Sequence, residues 1–214
     1  VSHELKTPMT TIGGYIDGML DGTIPPERHR YYMQIVSDEI RRLSRLVRSM
    51  LDISQLQNQD IPEEKKMHFD LEEVMGQVLI TFEKKINDKD LNVDVDMPAY
   101  PVITHACEDY VTQVVYNLID NAIKFSDDGG TISIDISREN DDLVFKISNG
   151  GETIKEEDCQ KIFDKFYRAN QTQTDGHGIG LSIVKKIVEL HNGSISVTSK
   201  DGVTEFVVTL PTNN

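Results

Sequence analysis

The stretch that decides the fold reads NLIDNAIKFS and occupies residues 117–126. Asn117, Asn121 and Lys124 stand at steps of four and three residues, so on a helix they share one face. Two carboxamide oxygens and an ammonium on one face suit a magnesium-bound polyphosphate, because hard oxygens ligate Mg²⁺ and a lysine offsets phosphate charge. A solvated polar face is the alternative explanation of the same spacing.

A glycine-rich segment, GHGIGL at residues 176–181, stands upstream of an apolar helix predicted over residues 179–191. This arrangement aims backbone N–H groups and a helix dipole at an anion. The segment does not follow a strand as a dinucleotide-binding fingerprint would, and it lacks the Gly-Lys-Ser/Thr of a P-loop. Both of those alternatives are therefore rejected.

Periodicity around these two segments predicts a mixed α+β domain. The predicted helices are residues 71–86, 109–125 and 179–191, and the predicted strands are residues 91–95, 102–104, 131–137, 143–148, 194–199 and 205–210. The last two strands form a closing hairpin.

The first part of the chain predicts two helices, residues 3–20 and 27–57, joined by a turn at DGTIPP. Their apolar stripe is wider than one partner helix can cover, so we expect an antiparallel hairpin that dimerises into a four-helix bundle. A polar stretch then interrupts the periodicity. We predict a helical domain over residues 1–58, a linker over 59–66 and the α+β domain over 67–214.

Composition narrows the class of protein. The chain has 214 residues and a formal net charge of −14, the wrong sign for a nucleic-acid binder. Cys107 and Cys159 lie far apart and show neither disulfide nor zinc spacing. No apolar run reaches the length of a membrane span. We expect a cytoplasmic homodimer that meets a membrane only through segments missing from this chain.

Residues 2–8 read SHELKTP and open the first predicted helix. The neutral imidazole of His3 is a competent nucleophile toward phosphorus, and the Glu4 carboxylate can accept the other ring N–H. Thr7 lies four residues after His3 on the same helix face, within reach to orient a water molecule. A solvated surface pair is the alternative reading of His3 and Glu4.

Residues 2–8 resemble the H box of the sensor histidine kinases of two-component systems, and the hairpin resembles their dimerisation and phosphotransfer domain. Residues 117–126 and 176–181, in that order, resemble the ATP-binding domain shared by histidine kinases, gyrase, Hsp90 and MutL. Residues 162–168 resemble the F box of this family, residues 170–175 its lid and residues 202–206 its last glycine box. The resemblance implies a Bergerat-type α/β sandwich after the helical bundle.

The resemblance also implies an activity. ATP with Mg²⁺ would phosphorylate His3, and the phosphoryl group would pass to an aspartate of a response regulator, which Thr7 would help to dephosphorylate. Asn117 and Asn121 would hold the metal. The nucleotide-binding residues implied are Asn117, Asn121, Lys124, Asn149, Gly151, Ile154, Phe166, Arg168, Gly176, Gly178, Gly180, Leu181 and Thr204.

One box departs from the family pattern. Asn149 stands where the family has the aspartate that accepts a hydrogen bond from the adenine amino group, and Thr153 stands where it has a second glycine. Loss of the charge weakens that bond by about 1 kcal/mol. A signalling scaffold that binds ATP poorly is therefore one rival. The other is a gyrase-type ATPase, against which the absence of a glutamate near Asn117 argues.

Overall fold

The computed structural model of the protein describes residues 2–57, 60–140, 142–169 and 178–211. It divides into two compact units, residues 1–54 and residues 55–214. The first unit is helical and the second is mixed α/β. The predicted fold class, a helical hairpin followed by an α/β sandwich, is confirmed.

The first unit is a hairpin of two helices, α1 (Ser2–Leu20) and α2 (His29–Gln57). The rings of Tyr15 on α1 and Tyr32 on α2 are in contact, with centroids 5.0 Å apart and planes tilted by 41°, so the two helices lie side by side. Both helices were predicted from their apolar periodicity. The hairpin leaves a line of apolar side chains exposed, namely Met9, Ile16, Leu20, Tyr31, Met33, Ile40, Val47 and Leu51.

The turn between α1 and α2 is built from local hydrogen bonds. The backbone N–H of Thr23 donates to Oδ1 of Asp21 at 2.9 Å, and the N–H of Ile24 donates to the carbonyl of Gly18 at 2.7 Å. The Thr23 hydrogen bond lowers the pKa of the Asp21 carboxyl. Gly22 has a φ of 80°, a conformation that glycine adopts without strain.

In its described residues, the second unit contains four further α-helices and seven strands. Its helices are α3 (Leu71–Asp88), α4 (Glu108–Phe125), α5 (Glu156–Cys159) and α6 (Gly180–Leu190). Its strands are β1 (Met67–Asp70), β2 (Asn92–Asp96), β3 (Ile103–Ala106), β4 (Thr131–Glu139), β5 (Asp142–Gly150), β6 (Ser194–Lys200) and β7 (Val203–Leu210).

Five strands form one sheet in the order β2-β4-β5-β7-β6. Strand β2 runs parallel to β4, and every other pair is antiparallel. In this register Asn149 of β5 stands opposite Thr204 of β7. Strand β2 forms one edge of the sheet, and its Asp94 and Asp96 are exposed.

Buried and exposed side chains alternate along the strands, so the sheet has one buried face and one polar face. On β4 the side chains of Ile132, Ile134 and Ile136 are buried while those of Thr131 and Ser133 are exposed. Helix α4 packs against α3, α6 and β5. Its buried residues are Val111, Val114, Val115, Leu118, Ile119, Ala122 and Ile123. This packing fixes which face of α4 is left for other contacts.

One strand was not predicted. Strand β1 pairs antiparallel with β3 in a separate two-stranded sheet, with Phe69 opposite Thr104. Only Phe69 of its four residues is buried, so the sequence offers no alternation to detect. In the predicted linker, Ile61 is buried and Glu63–Lys65 forms a 3-10 turn.

No helix in the described ranges combines the length and the apolar character needed to cross a membrane.

Candidate nucleotide and phosphoacceptor site

The predicted acceptor residues lie at the start of α1. His3 and Glu4 have helical backbone, while their side chains lie outside the described part of the structure. Thr7 is exposed one turn further along the helix. The helical spacing on which the same-face argument depends is therefore present, since residues four apart lie one above the other.

Asn117 contacts the start of α6. Its amide nitrogen donates to the carbonyl of Gln113 at 2.9 Å, so the amide oxygen is the atom left for other partners. A Cβ built on Gly180 would lie 3.1 Å from that oxygen. Glycine at position 180 leaves this space open. The predicted asparagine and glycine segments therefore lie next to each other, although 63 positions separate them in the chain.

Gly178 is required by close backbone contacts. Its φ is +64°, and a Cβ there would lie 2.5 Å from the carbonyl oxygen of Tyr167. Its own carbonyl accepts from the backbone N–H of Phe166 at 2.8 Å, where Phe166 has a φ of 67°. The F box and the second half of the glycine-rich segment are thus joined by their backbones.

Tyr167 connects the F box to the short helix α5. Its hydroxyl donates to Oδ1 of Asp158 at 2.5 Å. This hydrogen bond to a carboxylate raises the pKa of Tyr167 to about 12. Arg168 and Leu181 are half-buried on either side of residues 170–177. Gly176, His177 and the predicted lid lie outside the described residues.

Lys124 is held by a carboxylate on its own helix. Its Nζ forms an ion pair with Oδ2 of Asp120, and Nζ of Lys85 on α3 lies 2.9 Å from Oδ1 of the same residue. Burial opposes ionisation of Asp120, whose side chain is 17% exposed. The hydrogen bonds from Lys124 and Lys85 outweigh that penalty, so the pKa of Asp120 lies below its usual value. The Lys124 ammonium is therefore positioned before any ligand arrives.

Lys89 caps the end of α4. Its Nζ donates to the carbonyls of Ser126 at 2.7 Å, Ile123 at 3.0 Å and Lys124 at 3.3 Å. The last carbonyls of a helix have no partner within the helix, and a cation near them also matches the helix dipole. Lys89 thereby stabilises the end of the helix that carries the predicted ligand residues.

Asn149 and Gly151 lie beside the end of α4. Asn149 is 5% exposed, and its amide nitrogen donates to the carbonyl of Gly150 at 3.3 Å. Gly151 forms a bridge with Ser126, and a Cβ on it would lie 2.1 Å from the carbonyl oxygen of Phe125. The strand-end box and the helix of the asparagine box are therefore in backbone contact.

The backbone of Thr153 does not need glycine. Thr153 is not among the residues with positive φ in the described ranges. Its side-chain oxygen accepts from the N–H of Gly202 at 2.9 Å. Ile154 is anchored close by, since its N–H donates to Oγ of Ser199 at 2.8 Å, and that oxygen lies 2.8 Å from Oγ1 of Thr204. Threonine is therefore compatible with the backbone at this position, where the family pattern has glycine.

Sequence reasoning missed Asp120, Lys85, Lys89 and Ser199. The pairing of Asp120 with Lys124 was detectable, because an acidic residue four positions before a lysine on a helix is a known stabilising pattern. Lys85, Lys89 and Ser199 reach their partners from other elements, and nothing in the local sequence signals those contacts.

Comparison with known proteins identifies the class of domain to which this candidate site belongs. Residues 106–214 match the family described as histidine kinase-, DNA gyrase B-, and HSP90-like ATPase. Residues 1–59 match the His kinase A phospho-acceptor domain. The second unit therefore contains an ATPase domain of that class.

Individual proteins are similar to this chain over nearly all of its residues. The chain is 32% identical over 216 residues to the sensor histidine kinase YclK of Bacillus subtilis, a match that covers 99% of this chain and 45% of that protein. Histidine kinase AdeS of Acinetobacter baumannii is 27% identical, with a TM-score of 0.81 and coverage of 99% of this chain and 98% of that chain. Histidine kinase ThkA, solved in complex with the response regulator TrrA, is 27% identical with a TM-score of 0.80, covering 100% of this chain and 60% of that chain.

The chain belongs to the sensor histidine kinases. It spans between 35% and 45% of the length of the curated relatives YclK and WalK that it matches.

Proposed function

We propose that this chain transfers the γ-phosphoryl group of ATP to His3 and then to an aspartate of a response regulator. The observation that carries the proposal is the approach of Gly180 to the amide oxygen of Asn117. It supports a nucleotide site on the same chain as a phospho-acceptor segment that begins at residue 1. The domain organisation proposed is a phosphotransfer domain over residues 1–58, a linker over 59–66 and an ATP-binding domain over 67–214.

The residues on α4 fit a polyphosphate with Mg²⁺. The space that a Cβ on Gly180 would fill is open beside the oxygen of Asn117, and Asn121 lies one turn further along the same face. Carboxamide oxygens are hard ligands suited to Mg²⁺. Mg²⁺ held by these two side chains would supply charge neutralisation during phosphoryl transfer. Lys124, held by Asp120, adds a fixed positive charge on the same side.

The other nucleotide contacts are assigned to three groups of residues. Asn149, Gly151, Ile154 and Thr204 hold the base end. Gly178, Gly180 and Leu181 present backbone N–H groups to the phosphates, as the start of a helix does for anions. Gly176 is assigned to the same group from its place in the sequence. Phe166 and Arg168 lie at the base of the lid, where they cover the phosphates and exclude water.

His3 is the nucleophile of the first step. One ring nitrogen forms the N–P bond while the bond from the γ-phosphorus to the bridging oxygen of ADP breaks. The other ring nitrogen keeps its proton, which is hydrogen-bonded to the Glu4 carboxylate and stabilises the positive charge on the ring. This step needs no proton transfer before attack, because the attacking nitrogen is unprotonated at neutral pH.

The second step transfers the phosphoryl group from His3 to a carboxylate oxygen of the regulator. The solved complex of the similar kinase ThkA with the response regulator TrrA supports a regulator as partner. Thr7, exposed one turn after His3, orients the water that hydrolyses the aspartyl phosphate in the reverse process. The chain thereby both adds the phosphoryl group to the regulator and removes it.

A homodimer is supported by the exposed apolar side chains of the hairpin. Met33, Ile40 and Val47 recur every seven residues along α2 and are 54%, 49% and 41% exposed. A seven-residue apolar repeat is the pattern of helices that pack together in bundles. Light scattering should give the mass of two chains, and the mass of one chain would contradict the dimer.

We assign the core to the cytoplasm, attached to a membrane only through segments that this chain lacks.

The proposal is tested with γ-labelled ATP and Mg²⁺. The parent chain and the control His68→Gln, which changes an exposed histidine of β1, should both acquire acid-labile label. His3→Gln should acquire none. Label that persists in His3→Gln contradicts the assignment of the acceptor.

A second candidate function is a regulator-docking scaffold with little kinase activity. The feature that favours it is Asn149 with Thr153, a neutral amide and a threonine where the family pattern has a charged aspartate and a glycine. Titration of ATP into the parent separates the two. Saturable binding below millimolar ATP supports the kinase, and its absence at millimolar ATP supports the scaffold.

A further inference from the structure

The segment that follows β5 is attached to the turn between β6 and β7. Gly202, in that turn, exchanges two hydrogen bonds with it. The carbonyl of Gly202 accepts from the N–H of Gly151 at 2.8 Å, and the N–H of Gly202 donates to Oγ1 of Thr153 at 2.9 Å. Asp201 and Gly202 both have positive φ values in this turn, 53° and 79°.

A second attachment lies one residue further along. The N–H of Ile154 donates to Oγ of Ser199 at 2.8 Å, and Ser199 is hydrogen-bonded to Thr204 on the neighbouring strand. Both attachments use side-chain hydroxyls in place of a strand ladder. Chain that has left the sheet has few regular backbone partners, so these hydroxyls add to the Gly151–Gly202 backbone hydrogen bond in keeping it against the β6–β7 turn.

The same segment forms one wall of the nucleotide site proposed above. Asn149 lies just before it, in β5. Gly151 touches the carbonyl of Phe125 at the end of α4, and Ile154 ends the segment. A shift of the segment away from Gly202 would move Asn149 and Gly151 relative to α4. Binding residues must be held in place before the ligand arrives, because ordering them on binding costs affinity.

We propose that Thr153 is a positioning residue for nucleotide binding: its hydroxyl anchors the Asn149–Gly151 wall to Gly202. Ser199 is the second anchor, through Ile154. The inference rests on the proposed nucleotide site and goes beyond it, because neither hydroxyl is assigned a contact with the nucleotide. It also explains how this chain accommodates threonine where related chains carry glycine.

Thr153 suits a substitution test because its side chain is exposed, so removal of its hydroxyl leaves no cavity. Thr153→Val removes the acceptor and keeps the shape, while Thr153→Ser keeps the acceptor. Ser199→Ala removes the second anchor. Thr81→Val is the matched control, because the Thr81 hydroxyl also bonds a backbone group, the carbonyl of Gln77 at 3.0 Å, on the exposed face of α3.

The experiment is a titration of Mg²⁺-ATP into the full chain, followed by NMR, with hydrogen exchange measured at the Gly202 amide. Loss of one neutral hydrogen bond predicts that Thr153→Val raises the Kd for ATP by about 3- to 10-fold. Gly202 exchange should accelerate in this variant. Thr153→Ser should restore both quantities, Ser199→Ala should raise the Kd, and Thr81→Val should match the parent.

Each outcome is decisive. An unchanged Kd in both Thr153→Val and Ser199→Ala, with the parent binding ATP, overturns the inference and leaves the proposed function standing. A raised Kd that Thr153→Ser does not restore also overturns it. A parent chain that binds no ATP overturns the proposed function and this inference together. A purely structural role would lower the melting temperature of Thr153→Val without changing its Kd.

Discussion

The Nε2 atom of His191 accepts a hydrogen bond from the backbone N–H of Cys107 at 3.2 Å. His191 follows the last residue of α6, and Cys107 precedes the first residue of α4. The other ring nitrogen, Nδ1, donates to the carbonyl of Ile187 at 2.8 Å. One neutral imidazole therefore ties together the two helices that carry the proposed phosphate-binding residues.

Burial lowers the pKa of His191, and the nearby charge of Lys66 lowers it further, although the bond to Ile187 opposes both effects. The unfolded chain takes up a proton below about pH 6.5, while folded His191 stays neutral to lower pH. Because the unfolded state then binds more protons, this histidine stabilises the fold less as the pH falls from about 6.5 toward its folded pKa.

We predict that His191→Gln flattens the dependence of stability on pH. Glutamine can accept from Cys107 but cannot titrate, so the difference in melting temperature between parent and variant should shrink from pH 7.5 to pH 5.5, a range of about one unit on each side of the ordinary histidine pKa. Circular dichroism at several pH values measures it. His68→Gln, at an exposed site, should follow the parent. Parallel curves for parent and His191→Gln would contradict the prediction.

Gly151→Ala should damage both stability and nucleotide binding. The new methyl group would meet the carbonyl oxygen of Phe125 at 2.1 Å, and backbone cannot move aside as a side chain can. Overpacking of this kind costs about 2 to 3 kcal/mol. Urea unfolding and ATP titration check both effects.

The control for this substitution is Gly76→Ala on α3, where an added Cβ meets nothing within 4 Å apart from its own helix. That variant should be more stable than the parent by about 0.5 to 1 kcal/mol, the ordinary gain of alanine over glycine in a helix. A Gly151→Ala chain as stable as the parent would show that α4 and the Gly151 segment are not in rigid contact.

Asp120→Asn should destabilise the chain, because it leaves Lys85 and Lys124 without their shared carboxylate. The side chain is 17% exposed, so we expect a loss of about 1 to 2 kcal/mol in urea unfolding. Asp38→Asn, which breaks an ion pair with Arg41 whose side chains are 60% and 69% exposed, should cost about 0.5 kcal/mol or less. Equal losses in the two variants would mean that the Asp120 cluster is no stronger than a surface pair.

Asn149→Asp should lower the melting temperature of the free chain but tighten the binding of ATP. In the free chain a carboxylate would replace an amide that is 5% exposed and hydrogen-bonded to the carbonyl of Gly150, so the melting temperature should fall. A charged acceptor facing the adenine amino group should tighten ATP binding about 5-fold.

Calorimetric titration of ATP and a thermal scan without nucleotide measure the two effects. Asn92→Asp, at an exposed position of β2, is the control and should change neither quantity appreciably. Weaker ATP binding by Asn149→Asp would place the adenine amino group away from this side chain.

Long helices and alternating strands were predictable because each repeats its pattern over many residues. Helix α2 and strand β4 were both foreseen, whereas β1 has one buried residue and becomes a strand only by pairing with β3. Local pattern carries no information about such a partner, which lies more than 30 positions away in the chain.

The candidate site also has a part that local sequence predicts and a part that it does not. The spacing of Asn117, Asn121 and Lys124 was enough to place them on one face of a helix. The contacts that hold them could not, because Lys89 reaches the end of α4 from 34 to 37 positions earlier in the chain. The hydrogen bond of Thr153 could not be predicted either, because its donor, Gly202, lies 49 positions further on.

The acidic edge of the sheet bears on aggregation. Strand β2 ends the sheet with unpaired backbone groups on its outer side, the usual starting point for strand-by-strand growth into insoluble assemblies. Its exposed Asp94 and Asp96 would face the same two carboxylates of any identical strand that paired there in antiparallel register. Chains crowded together at high local concentration should therefore keep their sheets separate.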